Sequence, residues 1–114
     1  MEKLNITGLL ADLSANKIKF SDVLLFIERY YEYTPTAFKN GSLENAAHEN
    51  QGSAKIFSFA HQNGLSTEDT LSLFAEHYEA VRADPAGSSH QNIRQFSKTG
   101  WEGISFDGQV LKRR

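Results

Sequence analysis

The 114-residue chain has no cysteine, no long apolar run and no excess of positive charge. Without cysteine, disulfides, thiolate metal sites and cysteine nucleophiles are excluded. No apolar run approaches the ~18 residues of a membrane span, and no basic-then-apolar start indicates a Sec signal. Twelve basic against fourteen acidic residues give a net charge of −2, which attracts no nucleic acid. We therefore expect a soluble, cytoplasmically made domain, with neither nucleic acid nor membrane as partner.

The length and the aromatic content indicate one compact unit. A chain of 114 residues is expected to form a single domain, residues 1–114, that buries roughly two-thirds of its unfolded surface. Eight phenylalanines, four tyrosines and one tryptophan predict a core rich in aromatic rings.

Two helices are predicted before the middle of the chain. Apolar residues recur at i, i+3, i+4 and i+7 from residue 6 to residue 13, which predicts an amphipathic helix ending near Asn16. Ser21 is predicted as the N-cap of a second helix, which is apolar on adjoining faces and therefore mostly buried. Pro35 disfavours helical geometry at Thr34, so this helix is predicted to end there.

The second half shows three further helix starts. Ser53 is predicted to cap a helix that Gly64 ends. Ser66, with an acidic residue three positions later, resembles a capping box and opens a helix whose apolar stripe extends to Val81. Ser88 is predicted to cap a short last helix.

Turn signals predict the remaining structure. Asn40-Gly41 is the strongest hairpin signal, and residues 36–39 are predicted as a short strand or a tight turn. Ser42 is predicted to cap a brief helical turn over residues 44–48. Near the end of the chain, Asp107-Gly108 is predicted as the type I′ turn of a hairpin between residues 104–106 and 109–111.

Residues 33–55, which we name the central segment, are rich in amides and carboxylates and too long for a simple connection. Tyr33, Phe38 and Leu43 give this segment apolar anchors, so we expect it to be ordered. The predicted fold class is α+β and predominantly helical. Four or five helices pack around the polar central segment, with a small C-terminal β-hairpin.

One candidate site is Glu44, His48 and Glu49. A helical turn would place Glu44 and His48 on one face, where a carboxylate and an imidazole can hold a divalent metal. No second motif pairs with them, and a solvated turn is the alternative that the pattern favours. We therefore predict no metal site and no cofactor.

A second candidate is His90, Asn92 and Arg94. His90 lies near a predicted helix N-terminus, which disfavours its charged form and leaves a neutral base or hydrogen-bond donor. Arg94, one turn later, can bind a carboxylate or phosphate in a bidentate manner. The alternative is structural, with His90 and Arg94 bridging to the central segment and satisfying its buried backbone groups.

A third candidate surrounds the helix start at Gly52. Backbone N–H groups there are available to an anion, and Lys55 lies in the first turn. The spacing is not that of a P-loop, and an internal cap with amide clamps is the alternative. No catalytic residue is assigned. The binding candidates of the whole chain are Asn45, Asn50, Lys55, His90, Asn92 and Arg94.

Four runs, in order and at matching spacing, resemble the HopJ family, named for a type III effector. They are residues 34–41 (TPTAFKNG), 52–60 (GSAKIFSFA), 65–66 (LS) with 70–71 (TL), and 90–96 (HQNIRQF) with 100–104 (GWEGI). The resemblance covers roughly residues 20–111. It implies a small bacterial protein, with effector activity and a host target if a type III system secretes it. The family usually has cysteine at Ala54 and a small residue at His48, so no role transfers to either.

The function that the sequence favours is binding of a protein partner or a small ligand where the central segment meets His90 and Arg94. The alternative is a small hydrolytic or metal-assisted enzyme that uses His90 and nearby carboxylates such as Glu49.

Overall fold

The structure is a computed structural model that describes residues 5–114. The described chain is α+β, with six α-helices, one 3₁₀ turn and five short strands. The helices are α1 (Ile6–Ser14), α2 (Phe20–Tyr30), α3 (Gln51–Gln62), α4 (Thr67–Ser72), α5 (Glu76–Ala83) and α6 (Gln91–Thr99), with the 3₁₀ turn at Gly100–Gly103. The strands are β1 (Tyr31–Tyr33), β2 (Phe38–Asn40), β3 (Leu43–Asn45), β4 (Ile104–Phe106) and β5 (Leu111–Arg113). Over this range, no helix has the length and apolar character that crossing a membrane requires.

The strands form two antiparallel sheets, which corrects the predicted C-terminal hairpin. Strand β4 pairs with β2, and β3 lies on the other side of β2. Strand β5 pairs with β1 instead. After β4 the backbone runs beside the first half of the central segment. Asp107 N donates to Ala37 O, and Thr34 N donates to Val110 O. Pairing with the central segment therefore replaces pairing between residues 104–106 and 109–111.

The hairpin at Asn40-Gly41 is confirmed, and residues 38–40 are a strand. Asn40 is paired with Leu43 across a two-residue loop, and Gly41 has a φ of 58°. The helical turn predicted after Ser42 is wrong, because β3 occupies Leu43–Asn45. Strand pairing with β2 satisfies the backbone groups that the helical turn would have bonded internally.

Both predicted ends of the second helix are displaced. Helix α2 begins one residue before Ser21, because the Asp22 carboxylate accepts the Lys19 N–H at 2.9 Å and so satisfies a first-turn donor. The helix ends at Tyr30 and not at Thr34, because the next three residues pair with β5. Strand pairing, rather than the proline, ends this helix.

Two predicted serine caps are wrong in the same way. Asn50 rather than Ser53 occupies the N-cap position of α3, and His90 rather than Ser88 occupies that of α6. Asn50 and His90 are both left-handed, with φ of 49° and 51°. Each helix therefore starts abruptly from a left-handed residue, one of the conformations that asparagine and histidine adopt more readily than most residues.

The Ser66 cap is confirmed, since its hydroxyl accepts the Asp69 N–H at 3.1 Å. The single helix predicted from there to Val81 is divided into α4 and α5 by residues 73–75. Ala75 has a φ of 50°, which no helix continues through. The apolar stripe continues across this break, because Leu73 and Phe74 are both buried.

The predicted aromatic core is centred on Phe57 of α3. The Phe57 ring centroid lies 6.0 Å from that of Phe38, 5.4 Å from Phe74 and 4.9 Å from Phe96. These four rings join β2 and three helical regions. Through Phe57 they pack α6 and β2 against α3.

Gly103 lies where the 3₁₀ turn meets the β2–β3 loop. Its carbonyl accepts the Gly41 N–H at 2.9 Å, and a Cβ on Gly103 would lie 2.8 Å from that nitrogen. The Gly41 backbone cannot move aside as a flexible side chain can. We therefore expect Gly103→Ala to lower the free energy of unfolding by about 1–3 kcal/mol. Urea denaturation measures this change. Gly108→Ala is the matched control, because its Cβ would only touch Thr36 at 3.7 Å; equal losses would contradict the clash.

Candidate functional site

Four asparagines join the central segment to α6, and we name them the amide network: Asn40, Asn45, Asn50 and Asn92. Asn40 Nδ2 donates to Asn92 O at 2.9 Å and to its Oδ1 at 3.0 Å. Asn92 Nδ2 donates to Asn45 Oδ1 at 3.0 Å, and Asn45 Nδ2 donates to Asn92 Oδ1 at 3.3 Å. Asn50 Nδ2 donates to Asn45 Oδ1 at 2.6 Å. The network is a continuous chain of side-chain amides.

Three of the four side chains of the amide network are buried. Asn40 is 0% exposed, and Asn45 and Asn92 are each 5% exposed. Amides this deep cost free energy unless they are hydrogen-bonded, so these three side chains fix β2 and β3 against α6, while Asn50 lies exposed at the edge of the network. Within the described chain Asn40 Oδ1 has no partner. The ordering of the central segment therefore comes from amides as much as from its apolar anchors.

A cleft of about 200 Å³ opens beside the amide network, between the starts of α3 and α6. We name it the interhelix cleft. Three of the six binding candidates, Asn50, His90 and Asn92, line it. The full lining is Phe20, Asn50, Gly52, Ser53, Phe74, His77, His90, Gln91, Asn92 and Ile93.

Two helix N-termini face the interhelix cleft. The first N–H groups of a helix lack intrahelical partners and carry the positive end of its dipole. Within residues 5–114, neither the Asn50 nor the His90 side chain caps the helix that it precedes. Asn50 uses its amide in the network instead. The cleft therefore presents backbone donors from two directions.

An imidazole pair forms one wall of the cleft. The ring centroids of His77 and His90 are 4.9 Å apart, and the Phe20 ring lies edge-on to His77 at 4.7 Å. Glu76 Oε1 accepts the Phe20 N–H at 2.7 Å, which links the start of α2 to the start of α5. Sequence reasoning treated His77 as a lone helical histidine, because nothing in the sequence brings residues 77 and 90 together.

The pKa of His90 is lowered from 6.5, first by burial and then by the positive charges of His77 and Arg94. The unfolded chain therefore binds this proton more readily than the folded chain does. As pH falls through about 6.5, protonation favours unfolding, and the free energy of unfolding decreases. This matches the sequence expectation of a neutral imidazole at this position, although burial contributes more than neighbouring charges.

We expect His90→Asn to flatten the pH dependence of stability. Asparagine tolerates the left-handed backbone and does not titrate, so the variant should lose less stability than wild type between about pH 7.5 and pH 5. Melting temperatures measured across this range with a chelator present test it. His61→Asn, on α3 outside the cleft, is the control. Parallel curves for wild type and His90→Asn would contradict the lowered pKa.

Arg94 does not reach the central segment, contrary to prediction. Its guanidinium donates to the carbonyls of Asp84 at 2.8 Å, Pro85 at 3.2 Å and Ser89. These carbonyls belong to the loop before α6. Arg94 therefore fixes the approach to His90, and Asn92 makes the contacts to the central segment that were expected of Arg94.

Lys55 is also outside the cleft. Its Nζ lies 3.2 Å from Glu28 Oε1 and 4.6 Å from the Tyr33 ring centroid. The side chain points toward α2 and the start of the central segment. The ammonium group of Lys55 therefore interacts with Glu28 and Tyr33 and does not supply a positive charge to an anion in the cleft.

The Glu44, His48 and Glu49 cluster does not form on a helix. Glu44 lies on β3, where it pairs with Lys39 at 3.9 Å, while His48 lies in the following turn. Glu49 Oε1 accepts the Ala46 N–H at 2.9 Å and closes that turn. Across residues 5–114, no three or more histidine, aspartate or glutamate side chains form a group that could hold a metal ion.

A wider groove of about 610 Å³ runs between α1, α4 and α5. Leu10, Leu13 and Tyr78 lie among its lining residues, together with charged side chains such as Glu79 and Arg82. None of the six binding candidates lines it. We therefore place the candidate site at the interhelix cleft.

The comparisons with known proteins bear on both fold and family. The crystal structure of the unknown function protein VPA0580 is similar to this chain, with a TM-score of 0.88 and 42% sequence identity. The match covers 99% of this chain and 97% of that one. A comparison with curated proteins gave no match. The family model described as HopJ type III effector protein matches residues 6–111. The chain therefore belongs to the HopJ type III effector protein family.

Proposed function

We propose that this protein acts by binding a small acidic ligand, or the acidic group of a partner, in the interhelix cleft. One observation carries the proposal. Asn50 of the central segment, His77 of α5 and His90 with Asn92 of α6 line a single cleft. Polar groups from three separate parts of the chain converge there, as is typical of a binding site.

The chemistry of the cleft favours an acceptor-rich, negatively charged group. Backbone N–H groups at two helix starts and the Ser53 hydroxyl supply donors. The imidazoles of His77 and His90 supply further N–H groups. No carboxylate is among the residues that line the cleft; Glu76, which interacts with His77, lies outside the lining.

The size of the cleft limits what it can hold. Its volume of about 200 Å³ is below the roughly 300–1,000 Å³ of pockets that enclose drug-sized molecules. A phosphate or carboxylate group fits, with the remainder of a larger molecule outside. Recognition of an end group suits an interaction protein as well as a small-molecule binder.

The enzymatic alternative has less support. Hydrolysis with His90 and a nearby carboxylate requires the two groups to face one substrate. Glu49, the carboxylate first considered, closes the turn at Ala46 and does not line the cleft. The cleft also offers His90 a second imidazole rather than an acid. Binding is therefore the favoured function.

A titration of isotopically labelled protein tests the binding proposal. Inorganic phosphate, acetate, sugar phosphates, nucleotides and acidic peptides are added with a chelator present, and backbone amide shifts are followed. We expect shifts at the starts of α3 and α6. A ligand at 100 times its dissociation constant should stabilise the protein by about 2.7 kcal/mol.

Three variants test whether the ligand binds in the interhelix cleft. His77→Gln and Ser53→Ala should weaken binding, while His61→Asn, outside the cleft, should not change it. If no compound shifts these amides, or if His77→Gln and His61→Asn bind equally, the proposal is wrong.

We further propose that the ligand or partner lies in a host cell, reached through a type III system, as the family description suggests. A translocation reporter fused to the chain tests this directly. Signal inside host cells that depends on the secretion apparatus would support delivery. A reporter retained in the bacterium would place the partner in the bacterial cytoplasm.

A further inference from the structure

We propose that His77 and His90 form a two-histidine binding site for a divalent transition-metal ion such as Zn²⁺ or Ni²⁺. The metal candidate that the sequence suggested, Glu44 with His48 and Glu49, contains neither residue. Imidazole nitrogen is a preferred ligand of these ions, whereas Mg²⁺ and Ca²⁺ prefer oxygen. Such a cation is distinct from the acidic ligand proposed above.

The ring geometry fits two ligands of one ion. A Zn–N distance of about 2.0–2.1 Å puts each ring centroid roughly 3.2 Å from the metal, so two rings at 90–110° have centroids roughly 4.5–5.2 Å apart. The centroids of His77 and His90 are 4.9 Å apart, and their planes are inclined by 37°. Both side chains line the same cleft, so an ion there can contact both rings.

The surroundings constrain the ring of His77 and the backbone of His90. Phe20 packs edge-on against His77 at 4.7 Å, and the Glu76 carboxylate fixes the Phe20 backbone. His90 is set by its left-handed backbone and by Arg94, which binds the carbonyls of the loop before it. These constraints reduce the freedom that is lost when a metal binds, which favours affinity.

Charge near the pair is balanced. Arg94 acts on His90 with a positive charge, and the Glu76 carboxylate is close enough to His77 for the two charges to interact. Lys19 also acts on Glu76. The lowered pKa of His90 keeps its ring neutral at pH 7 and so leaves a lone pair for the metal. Two histidines leave coordination positions for water or for an anionic group in the cleft.

Calorimetric titration of the untagged full chain at neutral to mildly alkaline pH, with ZnCl₂ and NiCl₂ as probes, tests the site. We expect one ion per chain, and His77→Gln or His90→Asn should each weaken binding by about tenfold or more. His48→Asn and His61→Asn are matched controls that should stay within about twofold. MgCl₂ should not compete. Imidazole nitrogen shifts should change for His77 and His90 on adding zinc, and not for the other two histidines.

Three results would overturn the inference: no zinc binding by wild type, equal binding by His77→Gln and wild type, or loss of binding in His48→Asn or His61→Asn. Melting curves of metal-free variants show which of them fold. If His90→Asn does not fold, His77→Gln and the imidazole shifts still decide. The acidic-ligand titration contains a chelator, so failure of either proposal leaves the other intact.

Discussion

Replacing Phe57 by alanine is expected to lower the free energy of unfolding by about 3–5 kcal/mol. Phe57 is 0% exposed and contacts the rings of Phe38, Phe74 and Phe96. Truncation removes apolar surface from the core and leaves a cavity that rings on three other segments border. A domain of this size is stable by about 5–15 kcal/mol, so the loss is a large part of the total.

Urea denaturation followed by circular dichroism measures the Phe57→Ala effect. Phe57→Leu keeps most of the volume and should cost less than Phe57→Ala, which separates cavity formation from loss of aromatic contacts. Leu25→Ala is the surface control, since Leu25 is 62% exposed, and should change stability by no more than about 0.5 kcal/mol. A Phe57→Ala loss as small as that of Leu25→Ala would show that the rings do not form one core.

The helices were largely predictable, because apolar periodicity depends only on neighbours along the chain. The Ser66 cap and the Asn40-Gly41 hairpin were predictable for the same reason. The C-terminal hairpin was not. Asp107-Gly108 has the composition of a tight turn, but the backbone groups around it found partners on the central segment. Long-range strand pairing overrides a local turn preference when it satisfies the same groups.

The candidate site was predictable in part. The polar composition of the central segment indicated that Asn45 and Asn50 are special, and both belong to the amide network. Asn40 was missed because its turn signal concealed its place on β2, where alternation with Phe38 turns it inward. His77 was missed because its partner is 13 positions away across a loop. The direction of the Arg94 side chain depends on loop carbonyls, which no sequence pattern specifies.

Replacing Asn92 by alanine is expected to lower the free energy of unfolding by about 2–4 kcal/mol. The Asn92 side chain accepts hydrogen bonds from Asn40 and Asn45 and donates one back to Asn45. Removing it strands buried amides, and each buried polar group left unsatisfied costs about 1–3 kcal/mol. Urea denaturation measures the loss. Lys98→Ala, exposed on the same helix, is the control and should stay within about 0.5 kcal/mol.

The Asn92→Ala variant also shows whether the amide network serves folding alone or also ligand binding at the cleft. The Asn92 side chain uses its amide groups within the network, so its role at the cleft is to hold Asn50 and α6 in register through Asn45. We expect the folded fraction to bind the acidic ligand more weakly, with the starts of α3 and α6 showing greater amide exchange. Lower stability with unchanged affinity and exchange would assign the network to folding alone. Because Asn50 joins the network through Asn45, Asn45→Ala should reproduce the Asn92→Ala pattern, and two different patterns would contradict a single connected network.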